Sequence, residues 1–133
     1  MLLVRQWRTA AGQALLEIPA GTLEVAGDGS IEDPDLAARR ELEEETGMRA
    51  RSWRLLARFY TAPGFTSELM HLYLATDLRL ADGHRLGPDE DEHLLLVRLP
   101  WRDALAAADR GEVADAKSLV ALLWLARDRG VGT

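Results

Sequence analysis

Three glutamates at helical spacing, in a segment with a clear beginning and a clear end, constrain this chain more than any other feature. Asp33 is placed to cap a helix and Pro34 to occupy its first position. Gly47 is placed to end it in the left-handed conformation that terminates many helices. Between them run Leu36, Ala37, Arg40, Glu41, Glu44 and Glu45, with Glu41 one turn from Glu44 and Glu45, so three carboxylates crowd one face. Arg40 stands four residues before Glu44 and can steer it, Leu42 can turn to a core, and Glu43 points elsewhere. Like charges at this spacing cost roughly 0.2–0.5 kcal/mol per pair in an isolated helix. A solvated acidic face is one way to carry that cost, and a divalent cation is the other. Hard oxygen donors, with no Cys and no neighbouring His, select Mg²⁺ or Mn²⁺ over zinc.

The flanking sequence reads as strands and two more helices. Leu2 to Trp7 is a strand of imperfect alternation, and Gln13 to Ile18 a second, stopped by Pro19 and Gly21. Thr22 to Glu32 is a loop with Gly27-Asp28-Gly29-Ser30 at its tip. Ser52 to Thr61 and Leu69 to Leu78 are strands joined through a Pro63-Gly64 turn, and a polar loop, Ala81 to Glu92, leads to a strand at Leu94 to Leu99. Pro100 to Arg110 and Ala116 to Arg129 are closing helices, the second capped by Asp115 and striped by Leu119, Leu122, Leu123 and Leu125. Strands, a helix, strands and helices in that order predict a layered α/β (α+β) domain rather than a bundle or a sandwich.

The length of 133 residues leaves room for one domain, 1–133. A formal charge of −6 opposes a sequence-independent grip on nucleic acid, yet a carboxylate-rich pocket can take a small anion through divalent metal. The absence of cysteine excludes disulfides, thiolate nucleophiles and thiolate zinc sites, and it fits a cytoplasmic setting. No apolar run is long enough to span a bilayer, so no membrane partner is expected.

Arg40-Glu-Leu-Glu-Glu-Glu-Thr-Gly-Met48 resembles the second half of the Nudix box at every fixed position, with Glu32 at the family's distance before Arg40. Strict spacing would put the box's first glycine where Ala26 stands. Pro19-Ala-Gly21 looks like the family's turn instead, which implies about five extra residues in the loop before Glu32, an addition loops accept at small entropic cost. The resemblance implies a Nudix fold, a mixed β-sheet sandwiched between helices. It also implies metal binding by Glu41, Glu44, Glu45 and the backbone carbonyl of Ala20, with Arg40 steering Glu44.

Further stretches are similar to the ADP-ribose pyrophosphatase-like subgroup. They are Leu15-Leu-Glu-Ile-Pro-Ala-Gly-Thr-Leu-Glu24, Pro63 sixteen residues after Gly47, Phe59 to Glu68, and Gly111-Glu-Val-Ala-Asp-Ala-Lys-Ser118. By this resemblance Arg8 matches a substrate-contacting arginine and Arg5 does so loosely, while Pro63 and Glu68 belong to the substrate loop. As residues alone, the two arginines read equally well as surface groups on an edge strand. Trp7 could stack on a base, though a strand tryptophan reads more simply as packing. His71, His84 and His93 form no ligand spacing. In the acidic loop Gly87 to Glu92, Glu90 resembles the family's general base and Glu92 is its rival; a solvated loop is the plain alternative.

The implied chemistry is Mg²⁺-dependent attack of water on the pyrophosphate of a nucleoside diphosphate derivative, ADP-ribose giving AMP and ribose 5-phosphate. A nucleotide sugar, a nucleoside triphosphate or a non-catalytic ADP-ribose-sensing role are the rivals. The subgroup's usual N-terminal strands, which help build a homodimer and an adenine pocket, are not expected in a chain that begins at Met1-Leu2. A homodimer remains the family's expectation.

Overall fold

The computed structural model describes residues 1–81 and 94–130. β1 (Leu2–Arg8) and β2 (Gln13–Glu17) form an antiparallel pair joined through one turn of 3-10 helix at Thr9–Ala11. β5 (Leu95–Arg98) adds to the other edge of β1, giving the order β2-β1-β5. β3 (Met48–Tyr60) and β4 (Leu69–Leu80) make a long antiparallel hairpin of their own. Between the sheets in sequence lies α1 (Pro34–Thr46), and α2 (Trp101–Asp109) and α3 (Ala116–Asp128) close the described chain.

The α+β class holds. The described strands form two antiparallel sheets, where the family resemblance implies one mixed sheet. Leu3 and Leu16 of the three-stranded sheet pack with Ala104 and Ala107 of α2, Val113, and Leu122 of α3. Burying a side chain such as Leu3 or Leu122 contributes about 1.5–3 kcal/mol each. Leu3 and Val4 are adjacent, hence on opposite faces, and both are buried. Both faces of β1 are covered at this end, which explains its imperfect alternation. Trp7, read as packing, is instead 63% exposed.

α1 begins and ends where the sequence marks it. The Asp33 carboxylate accepts from the amides of Asp35 and Leu36, and Pro34 follows in the first turn. At the other end Gly47 takes φ +65°, and its amide donates to the Glu43 carbonyl at 2.8 Å. β3 starts at the next residue, four positions earlier than the Ser52 reading, because Met48 to Ala50 pair with Leu80 to Leu78. α1 lies against β3, with the Arg39 guanidinium 5.0 Å from the Trp53 ring centre and Arg49 ion-paired to Glu43. No described helix is long and apolar enough to cross a membrane.

Candidate active site

The acidic face of α1 meets the turn after β2. Arg40 sits at the centre of this cluster. Its Nη1 donates to both Glu41 (2.8 Å) and Glu44 (2.7 Å), its Nε and Nη2 donate to Glu32 (3.2 and 2.9 Å), and Nη2 also reaches the Thr22 carbonyl. Hydrogen bonding to Glu32 first, then to Glu44 and Glu41, raises the Arg40 pKa against the opposing effect of burial. The same bond, helped by the Glu24 amide, holds the Glu32 carboxyl below its ordinary value. Arg40 thus steers two box carboxylates where the spacing alone points to one.

Glu45 is buried and its Oε2 accepts from the Ala20 amide at 3.1 Å. The Glu41 carboxyl lies directly over Gly21, so that a Cβ at position 21 would overlap it. Glycine there permits the close approach of backbone to carboxylate. The box carboxylates and the Ala20–Gly21 turn therefore share one locality, as the sequence predicts. Among the described residues no three acidic or histidine side chains converge on a single ion position, since Arg40 holds Glu41 and Glu44 while Glu45 faces Ala20. The donors nonetheless fit a hard divalent cation: carboxylate and carbonyl oxygens, a guanidinium already standing as a positive charge between Glu41 and Glu44, and a glycine that lets Glu41 lie against the backbone.

The longer loop before the helix has a simple structure. Val25 and Ile31 form an isolated antiparallel bridge, and the Ala26 amide donates to Ser30 across the tip. The Glu32 amide donates to the Glu24 carbonyl at 2.9 Å, and the Glu24 amide donates to the Glu32 carboxylate at 3.1 Å. The extra residues are extruded as a small hairpin, which returns Glu32 to Arg40.

The other sequence-predicted residues divide. Glu68 accepts a hydrogen bond from the Thr61 hydroxyl and lines a cleft of about 430 Å³ together with Gly21, Leu23, Glu41, His71 and Tyr73. Pro63 is exposed and lines a separate shallow depression with Tyr60 and Phe65. Arg5 and Arg8 are three apart on β1, so they face opposite sides, and Arg5 is exposed within electrostatic reach of Glu112. Arg8 is on the site's side, but its Nε and Nη2 both grip Glu17 at 2.8 Å. Glu90 and Glu92 lie outside the described residues, as do His84 and His93.

Sequence reasoning missed a second charged cluster. Glu17 is 1% exposed at the end of β2, paired by Arg8 and by the Lys117 ammonium, which also donates to Asp115 at 2.9 Å. Burial pushes the Glu17 pKa up, but the Arg8 and Lys117 bonds outweigh it and hold the carboxyl below its ordinary value. Arg8 is raised in turn, chiefly by Glu17, with the charges of Asp115 and Glu45 adding. A lone carboxylate inside the apolar run Ala14 to Ile18 was the available signal.

The Nudix domain model matches residues 1–130. The chain belongs to the Nudix family. An ADP-ribose pyrophosphatase of Bacillus subtilis is 38% identical over 125 residues, which cover 94% of this chain and 64% of the relative. A GDP-mannose pyrophosphatase of Cronobacter sakazakii is 32% identical over 127 residues, covering 94% and 65%. This Nudix chain thus spans somewhat under two thirds of the length of these curated relatives. A solved structure described as an ADP compounds hydrolase superposes with a TM-score of 0.80 at 27% identity, covering 98% of this chain and 68% of that one.

Proposed function

We propose that this Nudix chain hydrolyses the pyrophosphate of a nucleoside diphosphate joined to another group, with ADP-ribose as substrate and AMP and ribose 5-phosphate as products. The observation that carries the reading is the meeting of the α1 carboxylates with the Ala20–Gly21 turn, where Glu41 lies over Gly21 and Glu45 holds the Ala20 amide. The likeness to an ADP-ribose pyrophosphatase supports the substrate.

Glu41, Glu44, Glu45 and the Ala20 carbonyl would hold Mg²⁺, which when bound polarises phosphate oxygens and offsets developing charge. Arg40 aims Glu41 and Glu44 by a hydrogen bond to each, and Glu32 keeps Arg40 in place. Glu68, anchored by Thr61, gives the adjoining cleft an acceptor for a substrate hydroxyl. Arg8 would reach phosphate with the one guanidinium nitrogen that Glu17 does not grip. Water activation falls to Glu90, with Glu92 as the alternative. A cytoplasmic homodimer is the expected setting; exposed Leu78 and Leu80, on one face of β4, offer apolar surface for a second copy.

The test is AMP release from ADP-ribose with and without Mg²⁺, wild type against Glu45→Gln. The expected result is metal-dependent release that the substitution reduces by about 10²-fold or more, the scale of several kcal/mol of lost transition-state stabilisation. Turnover of GDP-mannose in preference to ADP-ribose would move the substrate assignment to a nucleotide sugar. Metal-independent release would overturn the site.

A further inference from the structure

The turn that meets the catalytic helix is held from behind by the buried cluster at the end of β2. The Ile18 amide donates to the Ser118 hydroxyl at 2.8 Å, across a hundred residues of sequence. Ser118 is fully buried in the first turn of α3, where its own amide is capped by Asp115 at 3.1 Å. Asp115 binds Lys117, and Lys117 binds Glu17, the residue immediately before Ile18. Two residues further on, the Ala20 amide is taken by Glu45 of α1. The backbone from Glu17 to Ala20 is therefore pinned at one end by α3 and at the other by α1. Arg8, gripped by Glu17, feels the Glu45 charge as well.

We propose that Lys117 and Glu17 are positioning residues for the metal-binding turn: their buried ion pair, with the Ser118 clamp beside it, sets where the Ala20 carbonyl stands relative to Glu45. The inference rests on the Nudix reading of the site. Its physical basis is that a carbonyl ligand has no rotamer of its own, so its direction is fixed by whatever fixes the peptide. Here the adjacent amides are fixed by side chains from two helices, neither of them in the strand that carries the turn. Outer partners of this kind typically contribute about 10- to 100-fold to metal affinity or activity.

The experiment is Mn²⁺ binding to the full chain, read by electron paramagnetic resonance of the free ion, with thermal unfolding measured alongside. The proteins are wild type, Glu45→Gln, Lys117→Met, the double variant Glu17→Gln with Lys117→Met, Ser118→Ala and Lys117→Arg. The double variant removes both members of the Lys117–Glu17 pair; it leaves Arg8, which is partly exposed and can hydrate, and Asp115, which loses its cation but keeps its bond from the Ser118 amide. Ser118→Ala changes no charge at all. The expected result is Mn²⁺ affinity weakened by about tenfold in the double variant and in Ser118→Ala at a temperature where both are folded. Lys117→Arg restores most of it. Wild-type affinity in either folded variant overturns the inference, since a purely structural pair would lower the unfolding temperature alone. If wild type shows no Mn²⁺ binding sensitive to Glu45→Gln, the Nudix-site reading itself fails, and that result is distinct from the first.

Discussion

The two charged clusters of this molecule have opposite characters. Around Arg40, one guanidinium serves four carboxylates, Glu24, Glu32, Glu41 and Glu44, all partly open to water. Around Glu17, two cations and two carboxylates balance, and the central carboxylate is sealed from solvent. The first cluster has acid in excess and can accept further positive charge. The second is balanced in charge, and removing a member unbalances it. A surplus of like charge marks the place where chemistry is expected, and a balanced buried set marks the scaffold behind it.

The sharpest way to break this contrast is to remove one cation from the closed cluster. Lys117→Met leaves Glu17 buried with one partner fewer, and breaking a buried pair from one side costs about 3–5 kcal/mol. Glu44→Gln in the open cluster, by comparison, should leave the midpoint of urea unfolding nearly unchanged. A similar loss in both would erase the distinction. Gly21→Ala tests the open cluster by crowding it. The new methyl displaces the Glu41 carboxylate, a flexible group, so stability is largely kept while activity at limiting Mg²⁺ falls by about tenfold.

The pH dependence of stability should belong mainly to the closed cluster. Glu17 has a folded pKa below its ordinary value of 4.5, so its ion pair contributes in full above that value and is lost as pH falls through the lower, folded one. Urea midpoints measured downward from neutrality should fall in acid, and Glu17→Gln should flatten the fall. An identical acid limb in the variant would assign the loss to other carboxylates. The smallest effect is expected from trimming residues 27–29 out of the extruded hairpin. Shortening a surface loop changes closure entropy by only a few tenths of a kcal/mol, and the Glu24–Glu32 pairing that returns the chain to Arg40 stays intact.

What could be read from the sequence follows the range of the interactions involved. The cap at Asp33, the stop at Gly47 and the carboxylate face of α1 depend on neighbours within one or two turns, and all stand as the spacing implies. Arg8 and Arg5 stand three apart, and the two-residue period of a strand puts them on opposite faces. The Ser52 reading of β3 misses its first four residues, which are held by pairing with β4 some thirty residues further along the chain. Glu17 with Lys117, and Ile18 with Ser118, lie a hundred residues apart, and no local pattern announces such partners. The Arg40–Glu32 bond fell between these cases: the box spacing placed Glu32, but only the extruded hairpin shows how it reaches its partner.

The junction at Gly47 has a mechanical consequence. α1 ends and β3 begins with a single residue between them, and the Gly47 carbonyl is itself tied to the Ala81 amide at 3.0 Å. The helix that carries the carboxylates is thus keyed to the hairpin like a shaft to its housing, without slack in rotation or in length. One residue inserted there must either turn the helix by about 100°, carrying the carboxylates off the Ala20–Gly21 turn, or slip β3 by one place and exchange its two faces.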